Sequence, residues 1–390
     1  MSDSDWMTAQ AACARLGVRA QTLYAYVSRG LLAVSAHCED SRRSLYRAAD
    51  VEALAARQKR SRKHADVAAG AIAWGEPILV SAISSVHAGR LYYRGQDAAL
   101  LSQDRTLEAV ATLLAGMTSG NAEPASRPAP PNDPDFRRRL FLALADRAAS
   151  APPLLGTSAD EQAGEAALLL QIVTDAIAGT CSDGPIHARL AHAWGMEDDR
   201  AAADLIRRML VLAADHELNA STFATRVAAS TGASLAASVL AGLATLSGPL
   251  HGGQGRIVER FLAEALESGA RQALWNRLVE GRQLPGFGHL LYPEGDIRAK
   301  ALLAEFELPA PLAEVRDTAR DVTGAEPNID FAMVAACSSF GLPEDSPFAL
   351  FATARCAGWI AHAIEQRQTN SLIRPRARYV GPDPDERSPK

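Results

Sequence analysis

From about residue 76 onward, apolar residues recur every three to four positions in segments broken by glycine and proline. That period suits only helices that each bury one stripe, so the body of the chain is expected to be mainly α. Segments 160–179, 200–214, 223–245, 254–267, 298–307, 311–322, 330–341 and 346–366 are the strongest predicted helices. Alanine and leucine, which lose little rotamer freedom in a helix, outweigh valine and isoleucine. The proline-rich stretch ASRPAPPNDPDF reads as a surface connection. No internal repeat and no glycine-rich phosphate loop of the GxGxxG or GxxxxGKT type stands out.

Charge divides the chain. The 390 residues carry a formal charge of −5, which excludes a polyanion binder as a whole. Residues 1–64, however, hold eleven Lys plus Arg against six acids, so a small basic module precedes an acidic body. We place the module at 1–64, a linker at 65–75 and the body at 76–390. Five scattered cysteines without a CxxC pair suggest neither a metal site nor a disulfide framework. With no apolar leader and no apolar run of about 18 residues, a cytoplasmic location without membrane spanning is expected.

In the basic module, MTAQAACARLGV and RAQTLYAYVSRGLL read as two short helices joined at Gly17, and AADVEALAARQKR as a third. The stretch around Arg42, Arg43 and Arg47 forms a candidate hairpin wing. The ordered elements Leu16 to Val18, Thr22 to Tyr26, Gly30 to Leu32 and Tyr46 to Val51 resemble the MerR-like or excisionase-like winged helix-turn-helix family. That resemblance implies a duplex DNA partner, with Arg19, Gln21, Thr22, Tyr24 and Arg29 towards the major groove and Arg42 and Arg43 on phosphates. The alternative is a docking unit whose basic face is merely solvated.

Four titratable residues sit in distinctive surroundings: His216 in ADHELNAST, His251 in SGPLHGGQ, His289 in LPGFGHLLYP and Asp330 in EPNIDF. Each is expected at a turn or helix end, where side chains from separate helices can converge. Singly, each histidine reads as structural and Asp330 as an N-cap. Taken together, a neutral His251 at the start of a helix could donate to a carbonyl becoming an enolate, and Asp330 could take the neighbouring proton.

The strings GPLHGG, GFGH followed by Asp296, Arg298 and Ala299, PNIDF, ARCAGWIAH and IRPRARYVGP, together with SAISSVHAGRLYYRGQDA, resemble the citrate synthase family from about residue 76 to 385. The resemblance implies a two-domain helical fold and a homodimer that condenses acetyl-CoA, or propionyl-CoA, with oxaloacetate, without a metal or a permanently bound cofactor. It implies Asp330 as base, His251 as enol stabiliser and His289 as the group that polarises and protonates the oxaloacetate carbonyl. His216, Arg298 and Arg374 would grip oxaloacetate, Arg355 would face the product, and Arg387 would reach across the dimer. Arginine suits this task because its fork is always charged and bidentate.

Three motif positions depart from the family: GHLLY stands for GHRVY or GHPLY, Asp-Ile-Arg-Ala for Asp-Pro-Arg-Ala, and GGQGR for GGANE. Leu290 thereby removes a cationic contact to the CoA phosphates. Retention of Asp330, His251 and His289 favours an enzyme, an acyltransferase giving citrate or 2-methylcitrate, over a DNA-binding regulator with a synthase-derived ligand sensor. The choice between acetyl and propionyl thioesters stays open.

Overall fold

The computed structural model describes residues 6–18, 22–23, 26–27, 32–36, 44–55, 79–117, 127–377 and 379–381. The chain divides into two compact units, Met1–Val80 and Ser81–Lys390.

In the first unit β1 (Trp6–Thr8), β2 (Val34–Ala36) and β3 (Ser44–Arg47) form an antiparallel sheet in the order β1-β3-β2. Helix α1 (Ala9–Leu16) starts at Thr8, whose side chain accepts from the Ala11 amide, and ends at Gly17 in the left-handed conformation. Residues 48–55 are helical. Ala12, Leu16, Leu23, Leu32, Tyr46 and Val51 make one small core. Strands β2 and β3 lie to either side of the stretch expected as a wing, whose Arg42 and Arg43 lie outside the described residues, whereas β1 had no signal in the sequence.

The second unit opens with an antiparallel meander of β4 (Ser84–His87), β5 (Arg90–Tyr93) and β6 (Gln96–Asp97). Helices follow: α2 (Ala98–Asp104), α3 (Leu107–Ala115), α4 (Phe136–Ser150), α5 (Ala159–Ala178), α6 (Ile186–Ala193), α7 (Arg200–Leu212) and α8 (Ala220–Ser230). Then come α9 (Leu235–Leu246), α10 (Gln254–Ser268), α11 (Ala270–Val279), α12 (Ile297–Leu303), α13 (Ala310–Thr323), α14 (Ile329–Ser339) and α15 (Ser346–Gln368). The expected continuous helix over 223–245 is in fact two. Gly232 takes a positive φ of 83°, and Ser234 restarts the helix by accepting from the Ala237 amide.

Two cores organise this unit. The larger gathers residues such as Leu169, Met209, Val239 and Trp359. The smaller gathers Val258 and Phe261 from α10, Leu274 from α11, Val315 from α13 and Phe331 from α14. Helix α14 serves both: Ile329, Ala332, Met333 and Ala336 face the larger core, and Phe331, Val334 and Ala335 the smaller. A helix apolar on all sides must be sandwiched, and that sandwich places Asp330, in its first turn, at the junction of the cores.

Helix α15 is the central element, buried over nearly its whole length and packed on α3, α5, α7, α8 and α9. Its Gly358 amide donates to the Ala214 carbonyl at 3.1 Å. A Cβ there would stand 2.6 Å from that carbonyl oxygen and would also collide with Asp215 Oδ1. Gly358→Ala is therefore expected to lower unfolding free energy by about 1 to 3 kcal/mol or more. Urea denaturation of the full chain measures this, and an unchanged midpoint would contradict the close approach.

Candidate active site

The segment 213–219, between α7 and α8, carries His216, which is 9% exposed. Its Nε2 lies 2.9 Å from the Tyr292 hydroxyl. The His216 and His289 rings meet edge to face with centroids 5.1 Å apart, and His289 lies 4.9 Å from the Tyr292 ring. His289 is delivered by a strap in which Gly286 and Gly288 have φ of 82° and 72°. The strap is tied to the segment before α14: Gly288 N donates to Glu326 O at 2.9 Å, and Asn328 N to Gly286 O at 2.8 Å. The same ties bring Asp330 near. Because the Leu291 amide donates to His289 Nδ1 at 3.1 Å, a neutral ring carries its hydrogen on Nε2.

His251 lies in the turn before α10 rather than at its N-cap, which is Gly253. A Cβ on Gly252 would stand 2.7 Å from Leu246 Cγ, so only glycine lets this turn fold back on α9. His251 Nε2 is 2.9 Å from Ser221 Oγ, which also receives the Trp359 Nε1 hydrogen at 3.2 Å and lies 2.7 Å from Asn219 Oδ1. Ser221 donates its one hydrogen to Asn219 Oδ1, so its oxygen is left to accept from Trp359 Nε1 and from His251 Nε2.

Arg298 is buried and forks onto Asp296, with Nε and Nη2 at 2.9 and 2.8 Å from the carboxylate. Asp296 also accepts the Ile329 amide at 3.0 Å, so this ion pair anchors the start of α14. Arg298 thus does have the ordinary ion pair of an arginine, but a buried one, with its guanidinium carbon 5.2 Å from the Tyr292 ring centroid. Arg355, on α15, is 2% exposed. Its guanidinium lies 4.9 Å from the Phe351 ring centroid. No hydrogen bond reaches its Nε or Nη1, and among the described residues no carboxylate forms an ion pair with it. A buried cation left in this state is suited to receiving an anion.

Asp330 is not the N-cap of its helix; Asn328 is, accepting the Asp330 and Phe331 amides. Burial pushes the Asp330 carboxyl up to about 6, although the Arg298 charge opposes the shift. Burial, then the Arg355 charge, lowers His251 to about 4. Burial, then Arg298, does the same for His289, and Asp296 opposes it. His216 is held well below its ordinary value by burial and by Arg298, Arg355 and His289. The neutral His251 expected from a helix dipole therefore has a different cause. Three neutral imidazoles, a carboxyl poised near neutrality and two buried guanidiniums can together take a proton from carbon and stabilise charge on oxygen.

Arg374 is not part of this cluster: it lies exposed in the extended segment after α15. Arg387 lies outside the described residues, as do Arg19, Gln21, Tyr24, Arg29, Arg42 and Arg43. Thr22 is exposed. Sequence reasoning missed Tyr292, Asp296, Ser221, Asn219 and Trp359 as parts of the site. Tyr292 and Asp296 flank His289 and Arg298 within quoted motifs, and that proximity was the available signal. Among the described residues no cluster could hold a metal ion, and no helix is long and apolar enough to cross a membrane.

The sequence profile described as "Citrate synthase, C-terminal domain" matches residues 159–376. Putative citrate synthase 2 of Mycobacterium bovis is 34% identical over 337 residues, spanning 77% of this chain and 89% of that one. Citrate synthase 2 of Bacillus subtilis is 36% identical over 48% of this chain and 54% of its own length. Among solved structures, citrate synthase from Thermotoga maritima superposes with a TM-score of 0.64 at 27% identity, covering 81% of this chain and 98% of that one. Citrate synthase from Thermoplasma acidophilum, solved as a ternary complex with carboxymethyl coenzyme A and oxaloacetate, gives 0.66 at 25% identity, covering 80% and 96%. With more than half its length matched by the family profile and with these relatives, the chain belongs to the citrate synthase family and is a transferase of that kind.

Proposed function

We propose that this chain joins the α-carbon of the acyl group of acetyl-CoA or propionyl-CoA to the ketone carbon of oxaloacetate, giving citrate or 2-methylcitrate and CoA. The observation that carries the reading is Arg355, a buried guanidinium with no anionic partner of its own, set among three neutral histidines and Asp330. A small dicarboxylate supplies the missing charge. Asp330 takes the proton from the carbon next to the thioester, and His251 steadies the enol oxygen. The enol carbon then attacks the ketone of oxaloacetate, whose oxygen receives the Nε2 hydrogen of His289. Hydrolysis of the thioester releases CoA. Arg298 and His216 hold oxaloacetate, and Arg374 joins them when the two cores close over the substrates. No permanent cofactor is required, and the free thiols of Cys13, Cys181, Cys337 and Cys356 suit a reducing cytoplasm.

A homodimer fits the surface of α8 and α9. Helix α9 contains no charged residue, and the single one in α8, Arg226, is buried. Phe223, Ala224, Val227 and Ala228 on α8, with Ala237, Leu240, Ala241 and Ala244 on α9, are left partly or fully exposed. A second copy meeting this face through a two-fold axis would bury it, and the segment carrying Arg374 runs beside it, since Ile373 N donates to Ser230 Oγ. The first unit we read as a winged helix-turn-helix on the strength of α1, the Gly17 turn and the β2–β3 hairpin. No described contact favours the DNA-binding regulator over the enzyme.

Thiol release from acetyl-CoA or propionyl-CoA in the presence of oxaloacetate tests the function. Asp330→Asn is expected to lower turnover by about 10² or more, whereas turnover within about tenfold of wild type removes Asp330 from the base role. Wild-type kcat/KM for the thioester should fall as pH drops through about 6, because the base must be ionised. The same shift acts on stability: a carboxyl raised on folding contributes below its unfolded value near 4 and loses that contribution as pH rises through about 6. Asp330→Asn should therefore melt above wild type at pH 8 and level with it near pH 3.5. For the dimer, sedimentation velocity should show two copies for wild type and one for Ala241→Arg; a fully active wild-type monomer contradicts the interface.

A further inference from the structure

His216 is flanked by two acids, and both are fastened to the first strand of the meander. The Ser84 hydroxyl donates to Asp215 Oδ2 and accepts the Glu217 amide at 3.0 Å. On the free edge of β4, the Val86 amide donates to Glu217 Oε1 at 2.7 Å. An edge-strand amide is normally left to solvent, and here a carboxylate caps it. Glu217 itself has a φ of 50°, a left-handed conformation that a residue with a Cβ adopts only when its surroundings impose it. The reversal at Glu217 lies one residue beyond the ring that meets Tyr292 and His289.

Asp215 is fixed from its other side as well. Arg226 Nη1 lies 3.2 Å from His362 Nδ1, and a guanidinium only donates, so Nδ1 accepts and His362 Nε2 turns its hydrogen to Asp215 Oδ2 at 3.3 Å. Arg226 is held in turn by Glu365 at 2.7 Å and Gln366 at 2.9 Å. Asp215 is thus tied to α15, whereas Glu217 is tied only to β4 by the bonds named. The Glu217 contact to Val86 can be removed without touching the buried ion pairs, whereas the Ser84 hydroxyl also holds Asp215.

We propose that Ser84 and Glu217 are positioning residues for the condensation: together they form a two-point clamp by which the β4 edge holds the His216 backbone turned towards oxaloacetate. The clamp rests on the function proposed above, through the role of His216. It assigns to residues 84–87, far from the catalytic motifs in sequence, control over the affinity for one substrate only.

Four variants of the full chain separate the clamp from general destabilisation: Glu217→Ala, Glu217→Gly, Glu217→Gln and Ser84→Ala. Alanine removes the acceptor, glycine removes it while making the left-handed backbone free of strain, and glutamine keeps an oxygen that can accept from Val86. Glu217→Ala and Glu217→Gly should each raise the KM for oxaloacetate about tenfold or more and leave the thioester KM within about twofold, whereas Glu217→Gln stays within about threefold of wild type. Ser84→Ala should move in the same direction. An oxaloacetate KM unchanged in the alanine and glycine variants overturns the clamp, as does a parallel rise in both KM values or a glutamine variant as impaired as alanine. A wild-type chain that binds oxaloacetate without condensing it contradicts the function instead, and the clamp is then read from oxaloacetate Kd by calorimetry, with the same order of variants required. Absence of oxaloacetate binding to wild type overturns both.

Discussion

A guanidinium taken out of water without a carboxylate to meet it is among the most expensive arrangements a protein can fold around. Arg355 is in that position, and much of the second unit is disposed about it. Asp215 is kept ionised in its field: burial pushes this carboxyl up, but His362, Arg355 and the Ser84 hydroxyl outweigh burial and hold it below the ordinary carboxylate range. The absence of a side chain at Gly358 lets α15 approach the Asp215 segment closely enough for that. The Arg355 charge also acts on His216, His251 and Asp330, favouring neutral rings and opposing the rise of the carboxyl. One cation without an ion-pair partner among the described residues therefore helps to set the protonation states around it.

The residues of the site are distributed over the two cores. Asp330 belongs to the helix shared by both, His251 to the turn joining α9 of the larger core to α10 of the smaller, and His289 to the strap tied to the segment before α14. Arg256, in the GGQGR string that departs from the family, forks onto Asp345 at 2.7 and 2.5 Å, and Arg137 Nη2 reaches the same carboxylate at 3.0 Å. This is a link between α10 and the start of α15. Being half exposed, Arg256 contributes only about 0 to 1 kcal/mol to that link.

Most helices of the body were legible because their apolar period is long and their capping residues are explicit, as with Ser158 and Glu161 at the start of α5. The break at 231–234 was not, because Ala, Ser and Gly continue the pattern without a proline or a change of polarity. The residues proposed to act in catalysis were visible through their motifs. Tyr292, Ser221 and Trp359 were not singled out, because a hydroxyl or an indole shows its purpose only when the histidine it touches is in place. Arg374 shows the opposite failure: a motif match gives the identity of a residue, but the segment that carries it is exposed and stands apart from the cluster. Glu217 escaped notice because the strand its carboxylate meets lies about 130 residues away in sequence.

The claim on which the rest turns is that Arg355 waits for oxaloacetate. Thermal unfolding of wild type and Arg355→Met, each with and without oxaloacetate, tests it directly, because methionine keeps the apolar stem and removes the charge. Bound ligand stabilises wild type by mass action, by about 2.7 kcal/mol at a hundredfold excess over Kd. The variant should melt no lower than wild type when unliganded and should show no shift with oxaloacetate. A variant that melts well below wild type, or that gains as much from oxaloacetate, would mean that the guanidinium serves the fold and not the substrate.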